Sequence, residues 1–250
     1  MSDLITVQGV VLSAMPVGEY DKRIVLLTRE RGKISAFAKG ARRPNSPFLA
    51  AANPFVFGTF TLYEGRSSYN LNQVSITHHF VELAGKQPGI YYGYYFLELA
   101  DYFGQEGTDE KDSMNLLYVT VKALLNPHID DRLVRCIFEL RMMAVQGLCP
   151  SLFNCVCCGR QVQEGEEVFF SQSANGILDK ECLGKVRDAR RVSPAALYAM
   201  RYMVTAELGR LYTFAVKADV LFELERHIHT YISTNTEKRF KSLEILEIMS

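Results

Sequence analysis

Five short stretches of β-branched and apolar residues, separated by turn signals, fill the first third of the chain. They lie at residues 5–14, 23–28, 33–38, 55–63 and 69–76. The third alternates strictly, with Ile34, Ala36 and Ala38 on one face. Short strands joined by tight turns predict a small closed barrel, and both an OB-fold and an SH3-like barrel have such strands. Periodicity reports the buried face and not the strand order, so it cannot separate these two folds.

The hydrophobic pattern becomes helical from residue 89 onward. Helices are predicted from residue 89 to Gly104 and at residues 113–125, 131–146 and 221–232. Residues 150–191 break the pattern, and Ser193-Pro194 restarts a helix with a serine N-cap and a proline in the first turn. A chain of 250 residues can bury two cores. We expect an α+β protein of two domains, a barrel at 1–80 and a helical domain at 81–250 with an insert at about 150–191.

The formal net charge of zero hides an uneven distribution of charge. Residues 1–80 hold nine Lys and Arg against five Asp and Glu, residues 81–150 hold six against ten, and residues 151–250 hold thirteen against thirteen. The three segments therefore carry charges of +4, −4 and 0. Such a difference between neighbouring regions can indicate a different partner for each.

The basic residues of the first segment are concentrated between positions 22 and 43. This stretch holds eight Lys and Arg residues and one acid, Glu30. Clustered cations release condensed counterions from a phosphate backbone, so the cluster predicts a nucleic-acid site. The alternative is a solvated strand face whose charges serve solubility. The candidate DNA-binding residues are Lys22, Arg23, Lys33, Lys39, Arg42 and Arg43, with Lys185, Arg187, Arg190 and Arg191 as auxiliary candidates.

Aromatic side chains in the same region could stack on bases. The candidates are Tyr20, Phe37, Phe48, Tyr63 and Tyr69. Most aromatic residues in strands belong to the core, and the periodicity that would expose one of them can equally bury it. The sequence therefore selects no single stacking residue.

A cysteine knuckle marks the insert. Cys155 and Cys158 form a C-x-x-C pair followed by glycine, and Cys182 lies 24 residues further on. Two thiolates at this spacing can supply half of a tetrahedral zinc site, but the residue three before Cys182 is Asp179 rather than cysteine. Because carboxylate oxygen also binds zinc, these four residues form a candidate set for a structural zinc, with a metal-free relic as the alternative. Cys157 fits the spacing less well.

Motifs of known catalytic sites are absent from the sequence. It contains no phosphate-binding P-loop, no Gly-x-Ser-x-Gly elbow, no His-Glu-x-x-His helix and no zinc-deaminase signature. The histidines at 78, 79, 227 and 229 are expected at the surface or at caps. A closed four-ligand metal site would be structural, because catalytic zinc keeps an open position. We therefore expect a protein that is not an enzyme.

The predicted location follows from segments that the sequence lacks. No apolar run approaches the roughly 18 residues of a membrane span, and the N-terminal residues lack the features of a signal peptide. We expect a cytoplasmic protein without a membrane partner. In that compartment the six cysteines are better interpreted as thiols or metal ligands than as disulfides.

Two stretches of the basic region are specific in combination: Gly18-Glu-Tyr-Asp-Lys-Arg-Ile-Val-Leu-Leu-Thr-Arg-Glu-Arg-Gly-Lys33 and Ala38-Lys-Gly-Ala-Arg-Arg43. The knuckle at 155–159, Phe170-Ser171 and Lys241-Ser242 follow them along the chain. Together, and in this order, these stretches resemble the RecO family of bacterial DNA-repair and recombination mediators.

This resemblance implies an N-terminal OB-fold, a following helical domain and a zinc-ribbon-like insert. It also implies binding of single- and double-stranded DNA, annealing of complementary strands, contact with single-strand binding protein, and action with RecR to load RecA at the nucleoid. Asp179 departs from the family pattern, because zinc-bearing relatives usually have cysteine there and some members lack the metal.

Three hypotheses follow for the function. The first is a recombination mediator that binds DNA through the basic barrel. The second is a protein-interaction scaffold whose barrel binds another protein and whose basic face is merely solvated. The third is a metal-dependent hydrolase that uses the cysteine region.

Overall fold

The computed structural model describes residues 3–65 and 68–249. The chain forms two compact units. The first comprises Met1–Val121 together with Phe240–Ser250, and the second comprises Lys122–Arg239. The helices that follow residue 80 are thus divided between the two units, and the predicted domain boundary at that residue stays a prediction.

The first unit is built around a closed barrel of five strands. They are β1 (Leu4–Val17), β2 (Asp21–Thr28), β3 (Gly32–Ala38), β4 (Val56–Glu64) and β5 (Tyr69–His79). β1 pairs antiparallel with both β2 and β4, while β3 makes a short parallel pairing with β5. A meander of consecutive antiparallel strands has no such parallel pair, so the order β1-β2-β3-β5-β4 indicates an OB-fold rather than an SH3-like barrel. The predicted α+β class and the five strands are confirmed.

Aliphatic side chains from alternate strand positions fill the barrel. Ile34, Ala36 and Ala38 are buried there, as predicted, and they belong to one core cluster with Ile24 and Phe60. The side chains that alternate with these core residues along β2 and β3 therefore face away from the inside of the barrel. This alternation decides which side chains of the basic region can reach a ligand.

The length of β1 lets it pair with two neighbours. Its register against β2 shifts between Val11 and Ser13, and a bulge of this kind bends a strand and increases its twist. Gly9 lies opposite Gly58 of β4, where a Cβ atom on Gly58 would come within 2.4 Å of the Ser75 carbonyl oxygen. A side chain at position 58 would therefore push β4 and β5 apart.

Helices account for most of the remaining chain. Those in its described part are α1 (Phe48–Ala51), α2 (Gly89–Phe103), α3 (Lys111–Leu124), α4 (Asp131–Val145), α5 (Pro194–Thr205), α6 (Ala218–Asn235) and α7 (Lys241–Met249). The helices predicted between residues 89 and 232 are confirmed, with ends that differ by a few residues. The short α1 lies between the predicted strands at 33–38 and 55–63, where no helix was predicted. None of these helices is both long and apolar enough to span a membrane.

The unpredicted helix α7 belongs to the first unit and packs against α2. The carboxylate of Glu98 on α2 accepts hydrogen bonds from the main-chain N–H of Ser242 (3.0 Å) and from its hydroxyl. It thereby satisfies one of the N–H groups that a helix start leaves unpaired. The preceding Phe240 contacts the rings of Tyr95 and Tyr102 edge-on. Nine residues are too few for helical periodicity to stand out in a sequence.

In the second unit, α4, α5 and α6 pack against one another, and the insert forms a small sheet. Its strands are β6 (Val168–Ser171), β7 (Gly176–Asp179) and β8 (Arg190–Val192), in the order β7-β6-β8. α5 begins as predicted, because the Ser193 hydroxyl accepts a hydrogen bond from the Ala196 N–H (3.2 Å) and Pro194 occupies the first turn. All three strands are short, with four, four and three residues.

Candidate nucleic-acid interface and metal site

The basic residues that cluster in the sequence separate in space along the β2–β3 hairpin. Lys22 pairs with Ala38 at one end of the hairpin, and Lys33 lies near the turn at the other end. The five residue steps from Lys33 to Ala38 correspond to about 16 Å of strand. Lys33 is therefore remote from Lys39, which immediately follows β3.

One end of the barrel combines the turn between β1 and β2 with the segment after β3; we call residues 18–20 and 39–43 the basic end. The main-chain N–H of Arg42 donates to the Tyr20 carbonyl (2.8 Å), and the Arg42 guanidinium donates to the Gly18 carbonyl (3.2 Å). The N–H of Gly40 donates to the carboxylate of Asp21 (2.7 Å). These hydrogen bonds tie the two segments into one surface.

Three cations of the basic end are available to an external ligand. Lys39, Arg42 and Arg43 are exposed, and none of them forms an ion pair with a carboxylate in the described part of the chain. The Arg43 guanidinium lies over the Tyr20 ring, 5.0 Å from its centroid. Unneutralised cations on a well-tied surface create a local positive potential that favours a polyanion.

Two other predicted DNA-binding residues direct their ammonium groups into the protein. Lys22 donates to the carbonyl of Ala52 (3.0 Å) and to the side-chain oxygen of Asn53 (2.7 Å). Burial, together with the positive charge of Arg42, lowers the pKa of Lys22. Lys33 donates to the carbonyl of Asp101 and lies 3.6 Å from its carboxylate. Both lysines therefore hold segments of the first unit together.

The sixth predicted DNA-binding residue, Arg23, is exposed on the outer face of β2. Its Nε donates to the Ser35 hydroxyl (2.7 Å), which holds the side chain along the sheet. The auxiliary candidates Lys185, Arg187, Arg190 and Arg191 are exposed residues of the second unit. Arg191 lies 3.3 Å from the carboxylate of Glu167.

The four predicted metal ligands come together in the second unit. Cys155, Cys158, Asp179 and Cys182 each offer one ligand atom, and these atoms all lie within 4.8 Å of one another. A tetrahedral ion with metal–sulfur bonds of about 2.3 Å requires donors spaced on this scale. The cluster could therefore hold a metal ion. Cys157 is exposed and lies outside it.

Hydrogen bonds link the side chains of this cluster and shift their pKa values. Burial, together with hydrogen bonds to Asp179 and two thiols, raises the pKa of Cys182 to about 12. The Cys158 thiol donates to the Asp179 carboxylate (3.2 Å), and this bond is the main cause of the lowered pKa of Asp179. Burial opposes ionisation of Cys155, yet surrounding main-chain N–H groups lower its pKa. A cation bound by the four donors would displace the thiol protons and stabilise the thiolate and carboxylate forms.

Main-chain hydrogen bonds hold the knuckle against β7. The N–H of Val156 donates to the Ile177 carbonyl (2.9 Å), and the N–H of Cys155 donates to the Arg160 carbonyl (2.8 Å). Gly159 has a φ of 75°, a left-handed conformation that favours glycine and lets the knuckle reverse direction. Asp179 also accepts the Cys182 N–H (2.8 Å), so one carboxylate caps the turn that presents Cys182.

A second carboxylate, Asp188, braces the insert. It accepts hydrogen bonds from the hydroxyls of Ser171 (2.6 Å) and Ser173 (2.7 Å) and from the main-chain N–H of Ser173 (2.8 Å). Burial opposes its ionisation, but these bonds prevail and lower the pKa of Asp188 to about 2. The resemblance included Ser171 without a role, and the structure makes it a tie between the β6–β7 hairpin and the segment before β8.

The expectation that His227 lies at the surface is wrong. His227 is buried and its ring contacts Phe170 edge-on, with centroids 5.6 Å apart. Burial lowers its pKa, so the neutral imidazole is favoured in the core. His229 is partly buried, and its Nε2 lies 3.4 Å from the carboxylate of Glu139. Residues two positions apart on a helix lie on different faces, and the sequence does not reveal which face of α6 is covered.

Comparisons with known proteins agree along nearly the whole chain. The family model "Recombination protein O N terminal" matches residues 1–80, and "Recombination protein O C terminal" matches residues 89–244. The chain is 33% identical over 247 residues to "DNA repair protein RecO" of Symbiobacterium thermophilum, covering 98% of each protein. It is 30% identical over 243 residues to the protein of that name from Alkaliphilus metalliredigens, covering 97% of this chain and 98% of that protein. The Bacillus pumilus protein is 31% identical over 249 residues, covering 98% and 94%.

Proposed function

This chain belongs to the recombination protein O family, and from that membership we propose that it is a mediator that binds DNA through the basic end of its barrel. Family membership supports a role in DNA repair and recombination. Beyond that role, we propose how the protein contacts DNA, which DNA strands it binds and which partners it has.

The single observation that carries the proposal is the basic end itself. Lys39, Arg42 and Arg43 are exposed beside the β1–β2 turn, and that surface is tied together by main-chain hydrogen bonds. Contacts from such cations to phosphate oxygens are independent of base sequence, so they suit both single-stranded and double-stranded DNA. A mediator that anneals complementary strands needs this tolerance and performs no bond-breaking chemistry. We accordingly propose that the protein is not an enzyme.

The proposed partners rest on the family resemblance. We propose that the protein contacts single-strand binding protein and acts with RecR to load RecA, in the cytoplasm at the nucleoid. With DNA on the barrel, the acidic stretch at 81–150 and the second unit are free for protein contacts. The solvated-scaffold hypothesis explains the same charges but gives no reason for Lys39, Arg42 and Arg43 to lie exposed together without a carboxylate partner in the described part of the chain.

We further propose that the knuckle holds a structural zinc ion. Three thiols and one carboxylate within 4.8 Å match the donor types and number of a closed tetrahedral site. Zinc there would join the turn at Cys155 and Cys158 to the end of β7. With no position open for water, such a site would not support the hydrolase hypothesis.

Titration of a fluorescently labelled oligonucleotide of mixed sequence tests the DNA-binding proposal. We expect the logarithm of the association constant to fall linearly with the logarithm of salt concentration between about 50 and 200 mM, for single strands and duplexes. A scaffold with a solvated basic face would show no salt-sensitive binding, and that result would reject the proposal.

A further inference from the structure

Four thiols of the second unit lie in or beside the knuckle, and they differ in their access to solvent. Cys157 and Cys158 are exposed, whereas Cys155 and Cys182 are buried. The sulfur atoms of Cys155, Cys158 and Cys182 all lie within 4.8 Å of one another. The cluster therefore places one solvent-accessible thiol beside two shielded ones.

The turn that carries Cys155 and Cys158 suits a disulfide between them. The N–H of Gly159 donates to the carbonyl of Cys155 (2.9 Å), so the chain reverses direction across the two cysteines. The first and fourth residues of a turn have Cα atoms less than about 7 Å apart, and disulfides bridge Cα separations of about 4.4–6.8 Å. Because the sulfurs are already within 4.8 Å, rotation of the two side chains can bring them into bonding distance.

The other thiols are less suited to pair with Cys158. Cys157 is its neighbour in the chain, and adjacent Cα atoms are only about 3.8 Å apart, which is below the range that disulfides bridge. Cys136 is fully buried, which shields it from an oxidant in solution. Cys182 is held by the Asp179 carboxylate, which accepts its N–H (2.8 Å), and a bond to it would have to join two separate segments. Cys155 lies in the same turn as Cys158.

From this arrangement we propose that the knuckle is a site of reversible oxidation by peroxides, with Cys158 as the thiol that reacts first and Cys155 as its disulfide partner. The Cys158 sulfur attacks one peroxide oxygen, the O–O bond breaks, and a sulfenic acid and one water form. The Cys155 sulfur then attacks the Cys158 sulfur, the S–O bond breaks, and a disulfide and a second water form. The two sulfurs supply the two electrons that reduce the peroxide, and the two thiol protons end in the water molecules.

This oxidation would remove two of the four donors of the proposed zinc site. Cys182 and Asp179 alone cannot complete a closed tetrahedral site, so we expect zinc to leave when the disulfide forms. Zinc binding would also keep the thiols ionised, and the thiolate is the form that attacks peroxide. The expected zinc release rests on the proposed structural zinc, whereas the disulfide does not.

The test treats the full chain with a low molar excess of hydrogen peroxide. Free thiols are then blocked in denaturant with one alkylating reagent, and thiols recovered by reduction are labelled with an isotopically heavier form of it. Trypsin leaves Cys155 and Cys158 within residues 142–160 and Cys182 within residues 181–185, because Arg or Lys precedes and ends each peptide. The proposed disulfide therefore stays within one peptide, whereas a disulfide to Cys182 would join two. A zinc-binding dye measures the released metal.

We expect heavy label on Cys155 and Cys158, a loss of two of the six thiols per chain, and release of about one zinc per disulfide. A thiol reductant with added zinc should reverse all three changes. Cys157→Ser removes the exposed neighbour that lies outside the cluster, so it should behave as the wild type. Cys158→Ser removes the accessible thiol, so it should form no disulfide at the same dose of peroxide.

The outcomes separate this inference from the zinc proposal. Heavy label confined to Cys149 and Cys157, a disulfide that joins the two peptides, or equal labelling in Cys158→Ser and the wild type would overturn the assignment. Zinc-containing protein that keeps its zinc and all its thiols in peroxide would overturn the inference and leave the zinc proposal intact. Zinc-free protein that still forms the disulfide would reject the zinc proposal alone. Mapping in the wild type needs no variant, so the inference stays testable if Cys158→Ser does not fold.

Discussion

Reversing Lys39, Arg42 and Arg43 to glutamate is expected to lower the affinity for single-stranded DNA about 100-fold at about 0.1 M salt. Each phosphate contact to a single strand contributes about 0.7 to the slope of log affinity against log salt, so loss of three contacts should flatten that slope by about 2. Counterion release contributes little near 1 M salt, and a slope change of about 2 over one decade of salt gives about 100-fold. The measurement is a fluorescence titration at several salt concentrations.

The matched control reverses three other exposed cations of the first unit, Arg29, Arg31 and Lys111. The change in net charge is the same, and Arg29 and Arg31 lie at the opposite end of the β2–β3 hairpin. This variant should keep most of the wild-type slope. If the two triple variants lose affinity equally, the protein attracts DNA by its total charge and the basic end has no special part.

The second large effect concerns the metal. Protein purified without added zinc is expected to contain about one equivalent of zinc, since all four donors are in place without rearrangement. Replacing Cys182 with serine should reduce the zinc content to below a few tenths of an equivalent. It should also destabilise the insert, because structural zinc binding contributes directly to folding free energy. Elemental analysis and urea unfolding of the whole chain measure the two effects.

Cys157→Ser is the control for this prediction, because Cys157 neighbours a ligand but lies outside the cluster. It should retain the wild-type zinc content and stability. Asp179→Cys should also retain zinc, because a thiolate at this position completes a set of four cysteine donors. Wild-type protein with less than a few tenths of an equivalent would show that the insert folds as a metal-free relic.

Much of the fold could be predicted because its signals are local. The alternation of Ile34, Ala36 and Ala38 predicts an inward face, and Ser193-Pro194 predicts a helix start. The strand order could not be predicted, because it depends on pairings between distant segments, such as the parallel contact of β3 with β5. The docking of α7 onto α2 likewise depends on Glu98, which is 144 residues from Ser242.

The sequence indicated which types of residue form the metal cluster and the basic region, but not how the basic residues are arranged in space. Spacing alone identified Asp179 as a ligand candidate, and the structure places it beside the three thiols. By contrast, the density of basic residues in the sequence predicted that both Lys33 and Lys39 bind DNA. In the structure Lys33 is held by Asp101, whereas Lys39 is exposed. A run of basic residues carries no information about which of them find an internal partner, since that partner can come from any part of the chain.

Amide hydrogen exchange with and without single-stranded DNA locates the bound surface without mutation, and it therefore tests whether DNA binds at the basic end. We expect slower exchange in the β1–β2 turn and at residues 39–43 when DNA is bound, with β4 unaffected. Protection confined to residues 122–239, with the β1–β2 turn and residues 39–43 exchanging as in the free protein, would contradict it.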